Sequence, residues 1–232
     1  MEYKKTTYKL SELFDVETVG PDHFSRRSYV HMKPFDLDFR LKSSKRHSEL
    51  MHGPGVYQIF FNETLVYVGK FDTLNDGNVA EERWRKHLET ITLRGNRVGF
   101  KSPKSVKKLI ALMCDKKLIS ALTVEKTKLK ERLLDTGVVS SRNRICFANK
   151  NWSEFSKLSK RSLGELFTVE YYRFTNINKK SRAERYAKML EGQLIDLYRP
   201  ECNSQCSKKN PSKGATLNQA RKTTRGLIKE KK

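Results

Sequence analysis

The sequence predicts an α+β fold, and three stretches carry that prediction. "GPGVYQIFFNETLVYVGK", residues 53–70, reads as two short strands around a tight turn. "VAEERWRKHLETITL", residues 79–93, is built of helix formers with few breakers. "LGELFTVEYYRF", residues 163–174, returns to β-branched and aromatic residues, and a second helix follows it.

Residues 1–52 are polar and aromatic, broken by Pro21 and Pro34 and ending in the basic "KSSKRH". They read as an N-terminal arm in which "FDLDFRL" alternates enough to be a strand. In the hairpin, Tyr57 and Tyr67 share a face only if the connection holds an odd number of residues. A three-residue loop, Asn62-Glu63-Thr64, sets Ile59 opposite Tyr67 and leaves the two phenols diagonal on one face, whereas a two-residue loop would split them. Gly55 and Gly69 bracket the pair, where another group can approach closely.

Beyond the loop "FDTLNDGN" and the first helix lies an insertion, residues 95–163, expected to be mostly helical. "KSPKSVKKLIALMCDKKLISAL" aligns Leu109, Leu112 and Met113 on one helical face. Residues 125–152 place a helix through Leu133, a Thr-Gly break and a second segment. Over 129–148 this reads either as a helix-turn-helix or as a plain basic insertion. The predicted strand within residues 163–174 draws on Leu166, Val169 and Tyr171 or Tyr172. In the helix that follows, Ser181 is placed as N-cap, Glu184 at the capping-box position and Pro200 as terminator. Residues 207–232 are basic and rich in breakers, and are expected to be a flexible tail in which "NQARKTTRGLIK" can become a helix against DNA.

The 232 residues carry 48 Lys+Arg against 26 Asp+Glu, formally +22, so the compact state repels itself unless a polyanion neutralises it. Nucleic acid is the first candidate and an anionic membrane surface the second. No run of eighteen apolar residues exists, which argues against a membrane span, and the first residues lack the apolar stretch of a secretion signal. Four cysteines, scattered except for Cys202 and Cys206, are expected in a reducing, cytoplasmic setting.

"GVY", nine residues, "YVG" and an immediate Lys70 are similar to the paired triplets of the GIY-YIG nuclease superfamily, with Val at both middle positions in place of Ile. Arg83 and His87 in "RWRKH", four apart on one helical face, resemble the arginine-histidine helix of its type II restriction branch. "EGQLIDLYRPECN" resembles that branch's glutamate helix, with Glu191 and, twelve residues on, Asn203. The resemblance spans residues 53–90 and 164–205. It implies a small core of a three-stranded mixed or antiparallel sheet flanked by helices, formed by residues 53–94 and 164–206.

The resemblance further implies hydrolysis of DNA phosphodiesters by water, with one Mg²⁺ (or Mn²⁺) per site on Glu191, and a catalytic set of Tyr57, Tyr67, Lys70, Arg83, His87, Glu191 and Asn203. The residue types suit the chemistry. Guanidinium and ammonium groups stabilise charge on the non-bridging oxygens. One carboxylate suits a metal that keeps its waters. Tyr57, with an ordinary pKa of about 10, can act as base or relay only if cations lower that value or if it hands the proton to His87, ordinarily about 6.5. Tyr67 would bind phosphate or position water. Each residue also has an ordinary reading: a sheet tyrosine, a solvated arginine or histidine, a strand-end lysine, a helix carboxylate paired with Lys188, a turn asparagine. Glu191 departs furthest from its ordinary reading, because Ala187, Leu194 and Ile195 make its helix face apolar.

A restriction enzyme cutting both strands is expected to be a homodimer or higher oligomer on double-stranded DNA. Base or backbone contacts are assigned to Arg85, Arg142, Asn143, Arg144, Lys208 and Lys209. Other readings stay open: a homing or repair nuclease, a DNA-binding protein without activity, an RNA-binding or ribosome-associated protein, and a zinc site at Cys202 and Cys206.

Overall fold

The computed structural model describes residues 2–18, 37–72, 77–95, 99–100, 133–134, 138–155, 160–175, 180–207 and 209–229. Its centre is a four-stranded sheet in the order β1-β8-β4-β5, with every neighbouring pair antiparallel. The strands are β1 (Glu2–Lys9), β4 (Gly55–Phe61), β5 (Thr64–Phe71) and β8 (Phe167–Thr175). The fold is therefore α+β with an antiparallel sheet. The outermost strand beside β8 comes from the region read as an arm, so the sheet has one strand more than expected.

Alternation along β4 sends Tyr57, Ile59 and Phe61 to one side and Val56 and Phe60 to the other. The first side packs on α3 (Arg85–Thr92) and α4 (Val139–Lys150) through Leu88, Ile91, Ile145 and Phe147. It also takes α1 (Leu10–Leu13), α5 (Trp152–Phe155), α6 (Lys160–Leu166) and the ribbon β2–β3 (Phe14–Thr18, Leu37–Leu41). β3 lies within the predicted "FDLDFRL" strand, and a short helix α2 (Ser43–Arg46) follows it. Phe61 is the aromatic hub of this layer, with ring centroids 5.4 Å from Phe147, 5.3 Å from Phe155 and 5.1 Å from Phe167. The second side packs on α7 (Lys180–Tyr198) and α8 (Leu217–Lys229) through Leu190, Leu194, Ala220 and Ile228. Burying each large apolar side chain contributes about 1.5–3 kcal/mol.

Several boundaries depart from the sequence reading. The strand expected from residue 163 begins at Phe167, and Leu166 ends helix α6 instead. Gly164 permits that helix to press on α1, since a Cβ there would lie 2.7 Å from the Ser11 side chain. Helix α7 begins at Lys180, so Ser181 lies inside its first turn and is not the cap. At its far end Arg199 takes a left-handed φ of 46° before Pro200, as expected of a terminating proline. Leu133–Leu134, expected to close a helix, form a short strand β7 parallel to β6 (Gly99–Phe100). The helix predicted over 101–122 lies outside the described residues, as does the first half of the supposed helix-turn-helix apart from Leu133–Leu134. Of that motif the structure describes α4, followed after one residue by α5.

The largest departure is the predicted tail. Residues 217–229 form α8 against the sheet. Thr216 and Gln219 make a reciprocal cap: the Gln219 amide donates to Thr216 Oγ1 (3.3 Å), and the Thr216 amide donates to Gln219 Oε1 (2.9 Å). Ala220, Thr224 and Ile228, spaced by four, are buried. Gln58 Nε2 donates to Thr224 Oγ1 at 2.9 Å in the interior. Among the described residues no helix is long and apolar enough to cross a membrane.

Candidate active site

The hairpin reaches the expected facing of its tyrosines by an unexpected route. Asn62 and Glu63 have φ of 45° and 61°, and Phe61 pairs with Thr64, so the turn has two residues and not three. Alone, that turn would send Tyr57 and Tyr67 to opposite faces. The register then shifts between Ile59 and Phe60: Phe60 faces Leu65 and Ile59 faces Tyr67, leaving Val66 as an extra residue. This bulge restores the parity. The two rings lie 6.2 Å apart at 30°. Gly69 stands opposite Tyr57, and a Cβ there would come within 2.5 Å of the Tyr57 Cζ and Oη, so the phenol rests on bare backbone.

The helix that faces the phenols is capped by Asn78, whose Oδ1 accepts from the amides of Ala80 (3.0 Å) and Glu81 (3.3 Å). Its first turn, Ala80–Trp84, is π-helical before α3 proper. Trp84 is fully buried, with its ring 6.2 Å from Tyr57 and 5.6 Å from Tyr171. One turn on, His87 Nε2 lies 2.8 Å from Tyr57 Oη, and its ring lies 4.3 Å from that of Tyr67. The imidazole tautomer sets which partner donates. Arg83 is exposed, and its charge acts on both phenols, on Asp72 and on Glu191. Arg85 turns to its own helix and pairs with Glu81 at 3.6 Å.

Glu191, on α7, reaches this cluster from the other layer. Burial pushes its carboxyl above the ordinary range. The Lys70 charge and a backbone hydrogen bond from Lys70 oppose that, Asp72 adds to it, and Arg83 opposes it. Lys70 Nζ donates to Asp72, which holds the Asp72 carboxyl below its ordinary value. Asp72 escaped the sequence reading, although its place two residues after Lys70 at the end of one strand was a usable signal. Two carboxylates in one field, one of them raised by burial and by the other, fit a hard divalent cation that takes the rest of its shell from water and phosphate. Among the described residues no three His, Cys, Asp or Glu side chains gather into a complete cage.

Both phenols are pushed up. For Tyr57 burial acts most, then Tyr67, and Arg83 works against them; for Tyr67 burial acts most and Arg144 opposes it. A free phenolate base is therefore disfavoured. A protonated phenol in contact with an imidazole can still relay a proton, the second of the two routes open to Tyr57.

Asn203 Oδ1 accepts from the Val68 amide (2.9 Å) and its Nδ2 donates to the Val68 carbonyl (2.8 Å). Its side chain thus behaves as a fragment of strand on the β5 edge, beside Gly69 and Lys70. Asn143 is likewise engaged inside the fold: its Nδ2 donates to the carbonyls of Asn203 (2.6 Å) and Cys206 (2.9 Å). Arg142 and Lys209 are exposed, and Lys208 lies outside the described residues. Arg144, assigned from sequence to base contacts, points its guanidinium over Tyr67, 5.9 Å from the ring centroid. Cys202 is buried and its thiol is pushed well up by burial, which opposes the thiolate a zinc site needs.

Comparison with protein-family models, with curated proteins and with solved structures returned no match.

Proposed function

We propose that the chain is a metal-dependent DNA endonuclease of the GIY-YIG type, acting in the manner of a type II restriction enzyme. The observation that carries this reading is the meeting of Tyr57, Tyr67 and His87 within one contact network under the charges of Arg83 and Glu191. Those residues come from a hairpin, the helix behind it and a helix more than 100 residues later.

In this reading a phosphodiester lies against Arg83, Lys70 and Tyr67. Arg83 stabilises charge on the non-bridging oxygens. Tyr57 takes the proton of the attacking water as it gives its own to His87, so the phenol stays neutral throughout. Tyr67 fixes the water or the phosphate, and Asp72 keeps the Lys70 ammonium in place. Glu191, with Asp72 beside it, would hold a Mg²⁺ or Mn²⁺ ion, which when bound neutralises phosphate charge and stabilises the leaving 3′ oxygen. Asn203 clamps the segment after α7 to the strand that carries Lys70. One site cuts one strand, so cleavage of a duplex calls for a homodimer. The net charge of +22 makes binding weaken steeply with salt.

The test is incubation with phage DNA in Mg²⁺ or in EDTA. Discrete fragments that need the divalent ion support the proposal, and Tyr57→Phe should lower the rate about 10²–10⁴-fold. If Tyr57→Phe cuts normally while Tyr67→Phe is inactive, the two phenols have exchanged roles. Retention of DNA on the protein with no cutting in any divalent ion leaves a nucleic-acid-binding protein and ends the enzymatic reading.

A further inference from the structure

We propose that Arg144, contributed by the inserted helix α4, is a positioning residue of the active site that holds Tyr67 against α3. This rests on the nuclease reading above and moves Arg144 from reading DNA bases to building the site.

The geometry ties Arg144 to both halves of the proton path. Its guanidinium lies 5.9 Å from the Tyr67 ring centroid, within cation–π range. Its Nη1 donates to Thr90 Oγ1 at 3.0 Å, and its Nε donates to the Ser140 carbonyl at 3.1 Å. Thr90 Oγ1 in turn donates to the carbonyls of Lys86 and His87, both at 2.9 Å. Arg144 therefore bridges Tyr67 to the backbone of the residue whose imidazole touches Tyr57.

The helix that carries it is fixed on three sides. Phe147 packs on Phe61, and Ile145 is buried in the core. Asn143, the preceding residue, donates to two carbonyls of the segment after α7. Consecutive residues of α4 thus fasten to α3 and to the strand clamp at Asn203. A guanidinium spent on a fixed threonine and a partly buried phenol is poorly placed to search a groove for bases.

The charged and titratable groups around Tyr67 come from every element packed on it: Arg144 from α4, Arg83 and His87 from the helix behind the hairpin, Glu191 from α7, Cys202 beyond it and Tyr57 from β4. Burial pushes the Tyr67 phenol up, and Arg144 is the largest charge opposing that push. Without it Tyr67 would lose an anchor for its ring and the strongest positive field acting on its oxygen.

The test compares Arg144→Met, which keeps bulk without charge, with Arg144→Lys, in two measurements. The first is single-turnover cleavage in Mg²⁺. Arg144→Met should slow the chemical step about 10–100-fold, below the loss from removing a direct donor to the transition state, with DNA half-saturation within about threefold of wild type. Arg144→Lys should recover much of the rate. The second needs no activity: the ¹³C resonance of labelled Tyr67, assigned by its absence in Tyr67→Phe, should shift in Arg144→Met and return toward wild type in Arg144→Lys. Weakened DNA binding or altered site preference at an unchanged rate overturns the proposal in favour of base contact. Equal loss in both variants with a lowered Tm overturns it in favour of a packing role. If the wild-type protein cuts no DNA, the nuclease reading fails and the resonance alone decides: an unmoved Tyr67 signal rejects the role of Arg144.

Discussion

Two glutamates, Glu170 on β8 and Glu191 on α7, enter the structure under opposite terms. Glu170 has a side chain with no solvent exposure, and all of its oxygens are used. Oε1 accepts from Lys5 (3.3 Å), Thr7 (2.9 Å) and Arg221 (2.5 Å), and Oε2 accepts from the Tyr172 hydroxyl (3.1 Å). Lys5 and Thr7 come from the first strand and Arg221 from the last helix, so the carboxylate joins these two elements across the sheet. Glu191 is half-buried, raised by desolvation, and shares its field with a second carboxylate. A buried charge satisfied by its neighbours holds a fold together. One that burial raises and a second carboxylate opposes is, in the proposed function, a ligand for a cation.

That contrast can be broken in four ways, beginning with the largest effect. Glu170→Ala leaves Lys5 and Arg221 facing the interior without their carboxylate. It should cost about 3 kcal/mol, the low end for a broken buried pair because both cations keep some access to water. Urea unfolding at pH 7 measures it, and a loss under 1 kcal/mol would mean the network does not carry the ends of the chain. Glu191→Gln should not lower urea stability at pH 7 yet should slow DNA cleavage about 10²–10³-fold, the scale of a lost charge-stabilising group. Cleavage at the wild-type rate would remove Glu191 from the proposed site. Thr7→Val takes one donor from Glu170 while its other partners stay, and should cost about 1 kcal/mol in the same unfolding assay.

The smallest effect is the most diagnostic. Because burial raises Glu191 in the folded protein, the fold binds its proton more tightly than the unfolded chain does. Its contribution to stability is full below the ordinary glutamate pKa of about 4.3 and is lost as pH rises through the raised folded value. Glu191→Gln should therefore melt above wild type at pH 7, with the two melting temperatures converging as the pH falls toward 4. A lower Tm for the variant at pH 7 would make Glu191 a structural ion pair like Glu170 and erase the comparison.

Much of the candidate site was legible because its signals are short. The paired "GVY" and "YVG", the Arg83–His87 spacing of four and the carboxylate on an apolar helix face all lie within a turn or a strand. α8 was legible too and was missed: "TLNQ" is a capping box, and Ala220, Thr224 and Ile228 repeat every four residues, but the density of lysine and arginine read as a solvated tail. Asp72 was overshadowed by the neighbouring Lys70. Arg144 carried no local mark that separates it from Arg142.

By itself the sequence determined the hairpin over 53–70, the helix over 79–93, the strand within 163–174 and the helix that ends before Pro200, and which side chains each presents together. Those choices rest on backbone preference and on neighbours within about four residues. Only the tertiary structure decided that a two-residue turn and the Val66 bulge together keep the phenols on one face. It alone made the first strand and the last helix part of one sheet and its cover, through partners 165 residues apart at Lys5–Glu170 and 166 apart at Gln58–Thr224. Bulge parity and such long closures depend on how much surface the whole chain can bury at once, a quantity no short window of residues contains.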